Sequence, residues 1–223
     1  MRVSPVTSRL MRAVESAWTG LGRVLWPVRC VFCGRAQPSP VCRSCHADLP
    51  WVEPCFRLEP FAAAAAPLAY AFPVDAAIRR FKFHRRLFYT PAFAGLMRPA
   101  VGLLPDEIDA VLPVPLHWRR QALRGFNQAA EIADPVCRQA GLPLVNGVSR
   151  SRHTPYQSGL SAGRRQRNLR NAFRVRGEIA YRHVLIVDDV ITTGATCRQL
   201  ARVLLDAGVP AVSVLAIARV VQA

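Results

Sequence analysis

Lysine is almost missing from this chain. Of its 30 basic residues only Lys82 is not arginine, and with 14 acids against them the net charge is +16 over 223 residues. Arginine makes planar, bidentate contacts with phosphates and carboxylates, so an excess of this size points to a polyanionic partner or a phosphate-bearing ligand. Long apolar runs are also absent. No segment comes near the roughly 20 uninterrupted apolar residues of a spanning helix, and no membrane span is expected. The N-terminal arginines precede apolar residues that are spaced rather than continuous, unlike a signal peptide. Leu10, Val14, Ala17, Leu21 and Val24 recur at helical spacing and describe an amphipathic helix that packs on the rest of the chain. Seven cysteines, four of them in paired spacing, suit a metal and a reducing compartment better than a disulfide framework, so a cytoplasmic location is expected.

Two regions differ in character. Residues 1–58 hold five of the seven cysteines, several prolines and little strand pattern, and are expected to form an N-terminal helix and a metal-binding ribbon. "PFAAAAAPLA" (60–69) reads as a join, because its alanines are too few and too closely flanked by proline to stand as a helix. Residues 65–223 alternate helix and strand. "IRRFKF" is a basic helix and "IDAVLPVPL" (108–116) a buried strand ended by prolines. "HWRRQALRGFNQAAEIADPVCRQAG" leads into a helix closed by Gly141. "HVLIVDD" is a strand, "ATCRQLARVLLDAG" a helix and "AVSVLAIARV" a final strand. Apolar runs without period-two alternation, separated by helices, predict an α/β fold with a parallel sheet covered on both faces.

Cys30-Val-Phe-Cys33-Gly34 is followed by Cys42-Arg-Ser-Cys45. Two CxxC knuckles at this separation match a tetrahedral four-cysteine zinc site, each knuckle presenting two thiolates on one tight turn. Gly34 suits the positive φ that such knuckles need. With no sign of an open coordination position, the zinc is expected to be structural, its binding free energy serving as folding free energy for a segment with little core. Cys137 and Cys197 fall in helical patterns and read as small core residues, while Cys55 stands alone.

"VLIVDDVITTGAT" (184–196) drives an aliphatic strand into two carboxylates and then into hydroxyls and a glycine. The carboxyl end of a parallel strand is where α/β proteins bind ligands. Asp188 and Asp189 can there accept hydrogen bonds from vicinal hydroxyls, as on a ribose. Thr192, Thr193, Gly194, Ala195 and Thr196 open the following helix, whose free N–H groups, dipole and threonine hydroxyls suit a phosphate monoester. Diol acceptors and a phosphate nest on one loop indicate a sugar 5-phosphate.

This loop resembles the phosphoribosyl pyrophosphate (PRPP) signature of type I phosphoribosyltransferases. Together with "RRQALRGFNQAAEIA" (119–133), "RSRHTPYQSGLSAGRRQRNLRNAFRV" (150–175) and "IRRFKFHRR" (78–86), it is similar to the ComF competence-protein family over essentially the whole chain. Many members carry a second pair of cysteine knuckles, for which only Cys55 remains here. The resemblance implies a type I phosphoribosyltransferase fold behind a zinc ribbon. It implies that Asp188 and Asp189 contact ribose hydroxyls directly or through Mg²⁺, and that Thr192 to Thr196 hold the 5-phosphate. The turn after Val111–Leu116 would hold pyrophosphate, and residues 153–170 would form a hood whose Arg164, Arg165, Arg167 and Arg170 neutralise it.

Two functions are compatible with these residues. One is a PRPP-binding protein of DNA uptake and natural competence, with single-stranded DNA and the uptake machinery as candidate partners and arginine clusters at 79–86, 119–124 and 164–176 to contact the DNA. Phe81, Phe83, Trp118, Phe126 and Tyr156 near those clusters are candidate stacking residues. The other is an active transferase that passes ribose 5-phosphate from PRPP to an acceptor and releases pyrophosphate.

Overall fold

A computed structural model describes residues 28–83, 87–150 and 172–221. The N-terminal stripe of Leu10 to Val24, the hood with Arg164, Arg165, Arg167 and Arg170, and Tyr156 lie outside these residues. The chain divides into two compact units, one ending at Asp48 and the other beginning at Leu49. Residues 49–58 therefore belong with the second unit, where Cys55 bridges Ala65 and Phe56 packs against the core.

In the first unit a bridge between Arg29 and Ala36 folds the first knuckle, and helix α1 (Arg43–Ala47) carries the second. The second unit continues with β1 (Ala64–Ala65), β2 (Leu68–Ala69), α2 (Val74–Phe83), a 3₁₀ turn (Leu87–Tyr89), α3 (Thr90–Val101), β3 (Ala110–Pro113), α4 (Trp118–Arg124) and α5 (Gln128–Ala140). It closes with β4 (Val148–Arg150), β5 (Phe173–Val175), β6 (His183–Ile191), α6 (Ala195–Asp206) and β7 (Ala211–Arg219). The main sheet has five strands, all paired in parallel, in the order β1–β7–β6–β3, with β2 also on β7. A separate antiparallel pair joins β4 to β5. Among the described residues no helix is long and apolar enough to cross a membrane.

The alanine run is not a join. Ala64 and Ala65 form an edge strand paired with Val214 and Leu215, and Ala64, Ala65 and Ala66 are all buried. A methyl group carries too little local information to reveal this; the small side chains fit where segment 50–66 lies close against the sheet.

The uninterrupted aliphatics of β6 and β7 follow from helices on both faces. Val184, Ile186, Val212 and Val214 share a buried cluster with Leu200 and Leu204 of α6. Leu185, Val187 and Leu215, one residue out of phase, are equally buried on the opposite face. Each fully buried leucine of this kind stabilises the fold by about 1.5–3 kcal/mol. A second apolar centre ties α2 down. Phe81 meets Phe93 edge-on at 5.5 Å and Phe126 at 5.7 Å, and Phe81 is fully buried with Phe126 nearly so. These two are therefore core side chains and not stacking platforms: the face of α2 bearing Phe81 turns inward, and the bend between α4 and α5 carries Phe126 in against it.

Candidate functional site

The pleat of β6 decides what its two carboxylates do. Successive residues of a strand point to opposite faces, so Asp188 turns toward α6 and Asp189 toward α2. Asp188 accepts a hydrogen bond from the Asp189 backbone N–H at 2.8 Å, and its other oxygen lies 3.7 Å from the Cys197 thiol of α6. Asp189, almost fully buried, places Oδ1 2.9 Å from the Lys82 ammonium near the end of α2. Its Oδ2 is buried and has no hydrogen-bond partner among the described residues. Burial and the neighbouring Asp189 charge push the Asp188 carboxyl up to about 7, against the lowering influence of Lys82. Burial works against the Lys82 charge, yet Asp189, and to a lesser degree Asp188, hold its ammonium above the usual lysine value. The chain's single lysine thus neutralises a site that would otherwise bury two adjacent anions.

Past the acidic pair, β6 runs two residues further than the sequence pattern indicated, to Ile191. Thr192 and Thr193 are exposed, and Gly194 caps α6 with φ of +71°. A Cβ at Gly194 would lie 3.3 Å from both Leu58 methyls and from the Arg198 guanidinium. Arg198 donates to the Thr193 carbonyl and, at 2.9 Å, to the Glu59 carbonyl, fastening the loop to segment 58–59. Thr193 Oγ1 accepts from the Ala195 N–H at 3.4 Å. Asp188, Asp189 and Thr192 to Thr196 lie on one strand–loop–helix segment, as their sequence pattern predicts. The pattern misses Arg198 and Leu58 and assigns no partner to Lys82. A lone lysine in an arginine-only chain was the available signal.

The turn that follows β3 lines a cavity of about 600 Å³ together with Trp118, Gln121, Asn127, Arg150, Arg174 and Arg176. Asn127 caps α5 and donates to the Val114 carbonyl at 3.1 Å, fixing the Val-Pro turn. Arg150 of β4 lies over the Phe173 ring at 5.5 Å. Burial, and then the charge of Arg120, lower the Arg150 guanidinium from its usual value, while Asp188 acts in the opposite sense.

In the first unit the four sulfurs of Cys30, Cys33, Cys42 and Cys45 lie within 4.8 Å of one another, with Cys33 Sγ 3.8 Å from Cys42 Sγ. Four thiolates bound at about 2.3 Å in a tetrahedron would be separated by about 3.8 Å, so the cluster has the dimensions of a metal site. Backbone N–H groups of Cys42 and Cys45 point at Cys30 Sγ (3.5 Å) and Cys42 Sγ (3.4 Å), the arrangement that stabilises thiolates in knuckles. Gly34 has the expected positive φ, +75°. Burial raises the Cys30 thiol, but backbone N–H groups from Cys33, Cys42 and Phe32 outweigh it and bring the thiol down to about 6; burial and the other three cysteines push Cys45 far up. Only Cys30, Val31 and Cys42 among its described residues are buried apolar side chains, too few to form a core without a metal. The four cysteines can hold a structural metal ion.

A parallel α/β unit with an acidic pair near a strand end, and a four-cysteine cluster of metal-site dimensions, define an α/β protein with a metal-capable N-terminal unit. No family model matches the chain. Competence protein F of Haemophilus influenzae is 35% identical over 197 residues, covering 81% of this chain and 85% of that protein. DNA utilization protein YhgH of Escherichia coli is 36% identical over 206 residues, 85% of this chain and 89% of that protein. Competence protein ComFC of Bacillus subtilis is 28% identical over 184 residues, 80% and 72% respectively. The chain belongs to the ComF family.

Proposed function

We propose that this protein binds PRPP at the carboxyl end of β6 and acts in natural competence and DNA uptake, where it contacts single-stranded DNA. The observation that carries the ligand is the orphan Asp189 Oδ2. A buried carboxylate oxygen without a partner is costly, and a ribose hydroxyl arriving at the strand end would satisfy it while Lys82 holds the opposite oxygen. The exposed hydroxyls of Thr192 and Thr193, with Gly194, Ala195 and Thr196 at the start of α6, would take the 5-phosphate. The order of the parallel strands and the position of this loop support a type I phosphoribosyltransferase fold, with the zinc ribbon in the unit that ends at Asp48 and the ligand site in the unit that begins at Leu49. Carboxylate oxygens are suitable donors for Mg²⁺, which would supply charge neutralisation to the diphosphate of PRPP. Arg164 and Arg167 would close on that diphosphate from the hood. The four cysteines would hold Zn²⁺, and the protein would work in the cytoplasm alongside the uptake machinery.

The DNA role rests on the names of the relatives and on the net charge of +16. Calorimetric titration of PRPP with Mg²⁺ tests the ligand: binding by the wild type and none by Asp188→Asn/Asp189→Asn is expected, and equal binding by both would overturn the reading. Single-strand binding should weaken steeply with added salt, and insensitivity to salt would remove the electrostatic basis.

One observation favours a second reading, an active transferase: the cavity bordered by the turn after β3 has room for an acceptor. Pyrophosphate release that Asp189→Asn abolishes would select it; PRPP binding without release would reject it.

A further inference from the structure

Helix α4 has an unusual relation to the rest of the unit, since none of its residues is buried. Trp118 is 64% exposed and Leu123 86% exposed, on a helix that also carries Arg119, Arg120 and Arg124. The Arg119 guanidinium lies over the Trp118 indole at 5.2 Å. Trp118 and Gln121 from this helix also line the 600 Å³ cavity, whose other walls are β4, β5 and the Pro113–Leu116 turn. Leu112 and Val145 are its buried residues, so they floor it; Trp118, Arg174 and Arg176 are exposed and stand at its mouth. Arg174 is paired in register with Ser149, and the Arg176 N–H donates to the Gly147 carbonyl at 2.8 Å, so both arginines are carried on an anchored strand end. Among the described residues lining the cavity, no side chain is acidic.

An exposed tryptophan costs solvation energy and does nothing for this core. Beside three cavity arginines, with no acid among the lining residues, its chemistry fits a polyanion that also carries flat apolar rings. We propose that this cavity and α4 form the docking site for single-stranded nucleic acid, one base stacking on Trp118 and the neighbouring phosphates resting on Arg174 and Arg176. This rests on the reading that the protein contacts single-stranded DNA and gives that contact a place. A duplex would keep its bases paired and unavailable to the indole, and an acidic protein would supply charge without rings.

The test uses the full-length protein and a fluorescently labelled oligothymidylate, followed by anisotropy across a salt series. The variants are Trp118→Ala, Trp118→Phe and Arg174→Ala/Arg176→Ala, with Arg98→Ala on the exposed surface of α3 as a control. All four replace exposed side chains, and circular dichroism with a thermal scan checks that each is folded. Trp118→Ala should weaken binding by roughly 5- to 150-fold, with Trp118→Phe retaining most of the affinity. The double arginine variant should flatten the slope of log affinity against log salt by about 1.4, two phosphates' worth for a single strand. An abasic oligonucleotide should bind the wild type about as weakly as the normal strand binds Trp118→Ala. No binding by the wild type would overturn the DNA-contact reading itself. Wild-type binding that all variants share would overturn this site and leave that reading standing. Equal competition by polyglutamate, by duplex DNA or by thymidine monophosphate would also overturn it, in favour of a charge-only surface, a duplex site or a small-molecule site respectively.

Discussion

The ammonium of Lys82 lies 2.9 Å from Oδ1 of Asp189, joining the end of α2 to the carboxyl end of β6. It sets one unit of positive charge against two adjacent carboxylates at a largely buried strand end. Among the described residues the other carboxylate oxygen, Oδ2, is buried with no hydrogen-bond partner.

Removing the lysine therefore strands a buried anion. Lys82→Met is expected to destabilise the second unit by on the order of 2–3 kcal/mol, below the ~3–5 of fully buried pairs because the lysine side chain keeps 22% exposure. Lys82→Met/Asp189→Asn should recover part of that loss, since the charge goes with its partner. Denaturant midpoints of the two variants check this; a double variant no more stable than the single one would contradict it.

Asp188 makes stability depend on pH in a defined direction. Its ordinary value is 3.8 and its folded value about 7, so between these limits the native state binds more protons than the unfolded chain. Stability then falls as pH rises through that window, by a few kcal/mol at most. Asp188→Asn removes this cost. It should melt at a higher temperature than the wild type at pH 8, with little difference at pH 4, while losing PRPP binding. Scans of both proteins across the pH series measure the gap, which should widen as pH increases.

Gly194→Ala tests the loop. At φ of +71° an alanine pays about 1–2 kcal/mol for its Cβ, and that Cβ would press on Leu58 and Arg198 at 3.3 Å. A stability loss of that order, with weakened PRPP binding, is expected from denaturant titration and calorimetry. Unchanged affinity would show that the loop backbone is not part of the ligand site.

Zinc removal should act on the first unit. Chelation is expected to release one zinc per chain and to abolish hydrogen-exchange protection of residues 28–48. Protection of β6 and β7 should persist, because their buried aliphatics do not depend on the metal. Cys42→Ser should reproduce the effect without chelator. Protection surviving at residues 28–48 would show a core that the few buried side chains do not reveal.

Both cysteine knuckles and the strand–loop–helix of 184–196 were legible because each is made by consecutive residues whose geometry is local. An aliphatic run ending in Asp188 and Asp189, then Thr-Thr-Gly, describes a strand end and a helix start whatever surrounds it. The alanines at 64–66 were misread because their identity as an edge strand comes from Val214 and Leu215, far along the chain. Phe81 and Phe126 looked like candidates for stacking until packing turned them inward, whereas Trp118 stayed out.

What the sequence determined by itself is local: an aliphatic strand carrying two adjacent carboxylates, a Thr-Thr-Gly turn opening a helix, and four thiols at metal spacing. Only the tertiary structure decided that Lys82 pairs with Asp189 and not Asp188, that Asp189 Oδ2 is buried without a partner among the described residues, and that Arg150, Arg174 and Arg176 share a cavity with Trp118. Those outcomes depend on which face of β6 each carboxylate takes and on which helix packs there. Such choices are made by long-range burial between segments that carry no local mark of one another.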